Sequence, residues 1–298
     1  MTLAVVSHDA GGAEILSSYV RKHGLRPLLV LDGPARAVFA RKLGAIDTVP
    51  LEDAIAGSSQ VLCGTSWQSN LEFDAIGLAK RHSRPCAAFI DHWINYAERF
   101  ERASITHFPD EIWVGDAIAA DLARRQFVPL PVRLVENPYF EDISAELAAV
   151  CVPSRRGANG VSVLYVCEPV REHGLLRFGN ERHFGYVEEE ALRFFCSNIA
   201  LLGAPVARIR IRPHPSEKAG KYDWVHAEFA LPIEAGGQRP LVEEVAESDV
   251  VVGCESMAMA IGVLAGKRVV SCIPAGGKPC GLPHPQIEHM RQLLKACS

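Results

Sequence analysis

The stretch Asp249-Val250-Val251-Val252-Gly253-Cys254-Glu255-Ser256-Met257-Ala258-Met259-Ala260 decides the fold. Its valine run reads as a buried strand, of the kind found in a parallel sheet covered by helices. Gly253 permits a tight turn, and Glu255-Ser256 stands where a helix begins, Ser being a favoured first cap. A helix start at the end of a strand offers amides and a hydroxyl, a seat for phosphate. Glu255 can bind ribose hydroxyls or cap the helix. Gly266-Lys267-Arg268-Val269-Val270 then turns into another strand, and Ala275-Gly276-Gly277-Lys278 has the flexibility to close over a ligand.

Upstream, Arg208-Ile209-Arg210-Ile211 alternates as a strand with one apolar face. Arg212-Pro213-His214-Pro215-Ser216-Glu217 follows, and the two prolines end the strand and fix two φ angles. His214 is left on a stiff turn beside Arg212. Loops at the C-terminal ends of strands are where open α/β sheets bind ligands. An Arg fork and an imidazole that titrates near neutral pH both suit a phosphate. A proline-rich turn with a half-exposed His is the plain structural alternative. Further upstream, Val166-Cys167-Glu168-Pro169 ends a strand and holds Glu168 at its tip, where it is the alternative to Glu255 for meeting the ribose or base of a nucleotide, and His173–Tyr186 reads as a mobile loop.

The same alternation fills the rest of the chain. Leu3–Val6, Leu28–Leu31, Val61–Cys63, Ala87–Ile90, Ile112–Val114 and Val132–Val135 read as buried strands, with helical patterns such as Ala13–His23, Ala35–Leu43 and Asn70–His82 between them. Ser144–Val150 is a short helical stretch, and 153–160 is polar, Gly/Pro-rich and linker-like. A second set starts at Val161–Val166 and continues through helices at Tyr186–Leu202, Leu241–Glu247 and Met257–Leu264, ending in a helix near Pro285–Cys297. The expected fold is therefore α/β, with two Rossmann-like, doubly wound domains facing a cleft. The first domain spans 1–145 and the second 160–284.

Three loops of the first half carry candidate chemistry. Ser7-His8-Asp9-Ala10-Gly11-Gly12-Ala13-Glu14 joins the first strand to the first helix. Gly11 and Gly12 allow close backbone approach, and Asp9 is the first choice of general base, with His8 a close rival. Asp9 is alternatively a helix cap. The loop is not G-x-G-x-x-G, so it gives little support to a dinucleotide. Asp91-His92-Trp93-Ile94-Asn95-Tyr96-Ala97-Glu98-Arg99-Phe100 mixes polar groups with aromatics, as sugar recognition requires. Here His92 is a rival base, while Asp91, Trp93 and Asn95 are sugar-binding candidates; alternatively, Trp93 and Phe100 are core. Gly64-Thr65-Ser66-Trp67 is small and polar and completes the floor of the expected cleft.

Composition narrows the classes. The 298 residues are 48% apolar and 22% charged, with a net charge of −4 and no basic run, so nucleic acid is not an expected partner. The N-terminus reads as a strand rather than a leader, and nine scattered cysteines without a C-x-x-C pair indicate a reducing, cytoplasmic setting. Peripheral contact with a membrane is left open.

A strand ending in R-P-H-P, then strand–G-x-E-S–helix, then A-G-K–strand, resembles the C-terminal half of GT-B glycosyltransferases. The likeness is nearest to bacterial enzymes that use CMP-activated nonulosonic acids such as sialic acid or Kdo. It implies that His214-Pro215 and Ser256 meet the nucleotide phosphate and that 285–298 packs back on the first domain. It further implies metal-independent, inverting transfer, without a cofactor, from a CMP-sugar (a UDP-sugar being the alternative) to a glycan or protein acceptor. Asp9-Ala10-Gly11 is a partial likeness to the acidic base motif of those transferases. Two alternatives share the architecture: a UDP-N-acetylglucosamine 2-epimerase, although Gly253-Cys254-Glu255-Ser256 lacks the double glycine of that family, and a non-catalytic sugar-binding protein.

Overall fold

The computed structural model describes residues 2–150 and 160–297. The expected linker at 153–160 lies outside the described residues except for Gly160. The chain divides into two compact units, Met1–Asp142 and Ile143–Ser298.

The first unit contains β1 (Leu3–Ser7), β2 (Leu28–Leu31), β3 (Gln60–Cys63), β4 (Cys86–Ile90), a small hairpin of β5 (Glu101–Arg102) and β6 (Ile105–Thr106), then β7 (Glu111–Val114) and β8 (Val132–Leu134). Apart from the hairpin these form one parallel sheet in the order β2-β1-β3-β4-β7-β8. On one face, Val5, Leu29, Leu62 and Phe89 pack with Leu16 and Val20 of the helix Ala10–Lys22 and Phe39 of the helix Pro34–Leu43.

The second unit repeats the plan with β9 (Val161–Val166), β10 (Val206–Arg212), β11 (Ile233–Ala235), β12 (Val250–Gly253), β13 (Arg268–Ser271) and β14 (Ile287–His289). Its sheet is also parallel, in the order β11-β10-β9-β12-β13-β14. In each sheet the strand order reverses beside the first strand, between β1 and β3 and between β9 and β12. The crevice beyond the strand ends at such a reversal is the usual ligand site.

Strand β10 shows how the sequence sets the faces. Ile209 and Ile211 enter the core with Leu192 and Phe195. On the other face, Arg208 donates to Ser162 Oγ at 3.1 Å, Arg210 pairs with Glu247 at 3.2 Å and Arg212 pairs with Glu244 at 2.8 Å.

Two expectations need correction. The segment from His173, expected as a mobile loop, lies partly in a helix, Val170–Phe178. Pro169 precedes that helix, Val170 and Gly174 are buried, and Gly179 ends it in the left-handed conformation. The closing helix is shorter than expected, Met290–Cys297, because Ile287–His289 pairs with β13 as an edge strand. Met290 of that helix belongs to the second unit's own core, with Leu293 against it.

Candidate functional site

In the first unit the site is built from the loop after β1. His8 Nδ1 and Asp9 Oδ1 are 2.9 Å apart, and the two side chains are 16% and 23% exposed. Asp9 occupies the cap position of the helix Ala10–Lys22, but its carboxylate makes no capping bond. Its partner is the imidazole. This is the arrangement in which a carboxylate fixes the ring's orientation and tautomer and leaves the other nitrogen for proton transfer.

Beneath the loop lies a residue that sequence reasoning missed. Glu72, in the first turn of the helix Leu71–Arg81, is 2% exposed and accepts the backbone N–H of His8 at 2.7 Å. Burial, only partly offset by that bond, raises its carboxyl to about 7. Its Oε2 and the hydroxyl of Ser7 are buried oxygens without a hydrogen-bond partner. A Cβ added at Gly64 would lie 3.3 Å from Glu72 Oε1 and 3.6 Å from Ser7 Oγ, so the bare backbone there is what admits the carboxyl.

The aromatic loop closes on the same corner. Asp91 is held by Arg99, whose Nη1 lies 2.7 Å from Asp91 Oδ1 and 2.7 Å from Thr65 Oγ1. The other oxygen of Asp91 abuts Gly11 where a side chain would begin. Gly12 approaches Gly64. Gly11, Gly12 and Asp91 are thereby brought beside His8 and Asp9. Trp93 is not presented to a ligand; it is buried, and its indole N–H donates to Asp116 at 2.8 Å. Asp116 in turn caps the helix Ala117–Gln126. His92 packs edge-on against Trp93, and Asn95 is exposed in the left-handed region at φ 56°. A cavity of about 320 Å³ in this unit lies at the other end of the sheet, and its carboxylate, Asp110, is engaged by the backbone N–H of Cys86.

In the second unit the strand reversal is bridged by Glu168. Its Oε1 accepts the N–H groups of Cys254 at 3.1 Å and Glu255 at 2.6 Å. Burial, opposed chiefly by the Glu255 amide, raises this carboxyl to about 7 as well. The phosphate seat expected at Glu255-Ser256 is therefore partly filled from within. Ser256 Oγ caps the helix Met257–Leu264 by accepting from Ala258 N at 3.2 Å. Glu255 accepts the Gly281 N–H and is raised by burial, which binds the chain after β13 to the helix start.

His214 stands on the turn foreseen for it. Its Nδ1 accepts the backbone N–H of Ser216 at 3.2 Å and lies 2.8 Å from Ser216 Oγ. Pro215 is exposed on the same turn. The turn is fixed by Glu217, which accepts the His214 N–H at 2.7 Å, the Lys221 ammonium at 2.8 Å and the Tyr222 hydroxyl at 2.6 Å. Arg212 is not aimed with His214. Alternation along β10 puts it on the opposite face from Ile211, where its Nη1 donates to Glu244 Oε2 and to the carbonyl of Arg239, each at 2.8 Å. Instead His173, from the unforeseen helix, brings its ring to 6.5 Å from that of His214. No group of three or more His, Cys, Asp or Glu among the described residues is arranged to hold a metal ion, and no helix among them is long and apolar enough to cross a membrane.

No family model matches the chain, and no curated protein matches it. Solved structures do. MnaA from S. aureus, in a co-structure with UDP, superposes with a TM-score of 0.66 at 12% identity, over 99% of this chain and 87% of that one. A UDP-GlcNAc 2-epimerase from Methanocaldococcus jannaschii gives 0.63 at 11% identity, over 100% and 92%. The glycosyltransferase of kitacinnamycin gives 0.53 at 13% identity, over 99% and 89%. At these identities the likeness establishes the fold: two Rossmann-like α/β units of the GT-B kind.

Proposed function

We propose that the chain is a nucleotide-sugar-dependent glycosyltransferase. The observation that carries this reading is the His8–Asp9 pair at the strand reversal of the first sheet. His8 is the general base and Asp9 its orienting partner, which revises the expectation that Asp9 itself takes the proton. His8 Nε2 accepts the proton of an acceptor hydroxyl as that oxygen attacks the anomeric carbon. The bond from the sugar to the nucleotide phosphate breaks and the configuration inverts. Asp91, locked by Arg99 beside Gly11, meets the hydroxyls of the sugar or acceptor.

The second unit binds the donor nucleotide. Glu255 meets the ribose and His214 the phosphate, with Ser256 beside them. The charge that develops on the leaving phosphate falls to His214 rather than to a metal, since preorganised donors can stabilise developing charge. Resemblance at His214-Pro215 and Ser256 favours a CMP-activated nonulosonic acid as donor, and a glycan or protein hydroxyl is the acceptor.

A second reading, epimerisation of a UDP-sugar, is supported by the solved structures described as UDP-GlcNAc 2-epimerases and by Glu168, whose carboxyl burial raises to about 7, a value that suits proton transfer at a sugar carbon. One assay separates the readings. The purified protein is incubated with CMP- and UDP-sugars, with and without a panel of glycan acceptors, and the products are identified by NMR. Acceptor-dependent release of nucleotide supports transfer. An altered donor with no acceptor present supports epimerisation, and binding without turnover overturns both. Turnover that vanishes in EDTA and returns with magnesium would overturn the metal-independent mechanism.

A further inference from the structure

His173 lies in the first turns of the helix Val170–Phe178, and no sequence motif singled it out. Its ring meets that of His214 at 78°, and both residues are half-buried. The two come from separate strand-end segments, one following β9 and the other following β10. They are held in place by a shared scaffold. Glu188, 3% exposed, accepts the backbone N–H of Arg171 at 2.8 Å, and Lys221 bridges Glu188 to Glu217, which in turn holds the His214 turn. In the neutral ring Nδ1 of His214 accepts the Ser216 N–H, which leaves Nε2 as a donor; in the protonated ring Nδ1 donates to Ser216 Oγ, 2.8 Å away, and Nε2 remains a donor.

We infer that His173 and His214 form a two-imidazole subsite for the phosphate of the nucleotide donor, and that phosphate binding is coupled to proton uptake by this pair. The inference rests on the donor-site reading above and names a residue that it lacks. The physical reason is mutual. Two imidazolium rings this close repel each other, and a phosphate between them removes the repulsion and gains charged hydrogen bonds from both. Burial, and for His173 the neighbouring His214 as well, holds both rings below their ordinary range in the free protein. The facing carboxylates Glu172, Glu188 and Glu217 act in the opposite direction; the last two are already engaged by Lys221. An arriving anion therefore tips the pair toward its charged form.

Calorimetry of CMP, UDP and pyrophosphate binding is to be run between pH 6 and 8 in two buffers of different ionisation enthalpy, with cytidine and uridine as phosphate-free controls. The wild-type protein should bind the phosphate compounds with net proton uptake and lose affinity as pH rises, while nucleoside binding stays level. His173→Gln and His214→Gln should each weaken nucleotide binding about tenfold. Each should also reduce proton uptake and leave nucleoside affinity unchanged, which shows that the site is folded. Nucleotide binding by His173→Gln with wild-type affinity and uptake overturns this inference and leaves the donor-site reading standing. Uptake that persists in the double variant also overturns it. Failure of the wild-type protein to bind any nucleotide overturns the donor-site reading and this inference with it.

Discussion

Glu168 and Glu255, two acidic residues from different strand ends, meet through one hydrogen bond of 2.6 Å, in which the carboxylate of the first accepts the backbone N–H of the second. The anion at this helix start is thus the protein's own. The first unit has a counterpart, Glu72 on the N–H of His8. In both, a carboxyl that burial raises to about 7 sits at the strand reversal of a parallel sheet.

Glu72 makes stability depend on pH in a definite direction. Its folded value of about 7 lies above the ordinary 4.5, so the folded state binds the proton more tightly. The resulting stabilisation is full below the unfolded value and is lost as pH rises through the folded one. Glu72→Gln should therefore be more stable than wild type at about pH 8 by roughly 3 kcal/mol and should match it near pH 4. Urea unfolding across that range measures the difference. A gap that does not change with pH would show that Glu72 titrates normally.

The His8–Asp9 pair predicts unequal losses. Removing a general base costs about 10²- to 10⁴-fold in turnover, and His8→Asn should fall in that range. Asp9→Asn, which keeps the ring but loses its orienting carboxylate, should lose less. Nucleotide affinity should change in neither. Steady-state turnover and calorimetry on the two variants decide the matter; normal turnover in His8→Asn combined with a dead Asp9→Asn would return the base to Asp9.

Much of this could be read from the sequence. Apolar runs of strand length, punctuated by Gly and Pro, gave both sheets, since a strand buried on two faces has few sequence alternatives. Loops at strand ends brought His8, Asp9, Asp91 and His214 forward as candidates, and each of them follows the C-terminal end of a strand. What stayed hidden depends on pairing at long range. Glu72 lies 64 residues from the amide it serves, and its apolar surroundings exist only after folding. The helix carrying His173 was hidden because its sequence has no apolar stripe to bury: Val170 and Gly174 are buried, while Leu175, Leu176 and Phe178 are exposed. Arg212 was misjudged because proximity to His214 in sequence outweighed strand alternation, which sends it to Glu244. One signal was available: Arg208, Arg210 and Arg212 share a face, and that face called for a partner helix with acidic residues such as Glu243-Glu244-Glu247.

Arg212 should consequently act on stability more than on nucleotide binding. Glu244 is 2% exposed, and Arg212→Met leaves its charge without a guanidinium partner. Breaking a buried pair from one side typically costs about 3–5 kcal/mol. Chemical denaturation should show that loss, while nucleotide affinity of the folded fraction stays within about twofold of wild type, well under the tenfold of a lost charged hydrogen bond. A stable variant with weakened nucleotide binding would place Arg212 at the phosphate after all.

Gly11 and Gly12, adjacent in sequence, should respond differently to alanine. At Gly11 the added methyl meets the carboxylate of Asp91, which Arg99 prevents from moving aside. At Gly12 its nearest neighbours are Gly64 Cα at 3.5 Å and Ser7 Oγ at 3.8 Å, which are ordinary contacts. Gly11→Ala should lower stability by about 1–3 kcal/mol, the usual cost of overpacking, and Gly12→Ala by much less. Thermal unfolding of the two variants compares them directly; equal losses would mean that Asp91 can yield.

The arginine face of β10 has a consequence for how the chain avoids misassembly. Side chains alternate along a strand, so a slip of one residue against β9 would exchange Arg208, Arg210 and Arg212 with Ile209 and Ile211. Three guanidinium groups would then press into the packing around Phe195 while their acidic partners stood stranded on the other side. With an unpaired buried charge costing several kcal/mol, the shifted pairing is excluded once the helices cover the sheet and take those charges out of water. The valine run of β12, buried on both faces, has no such alternation to fix its register.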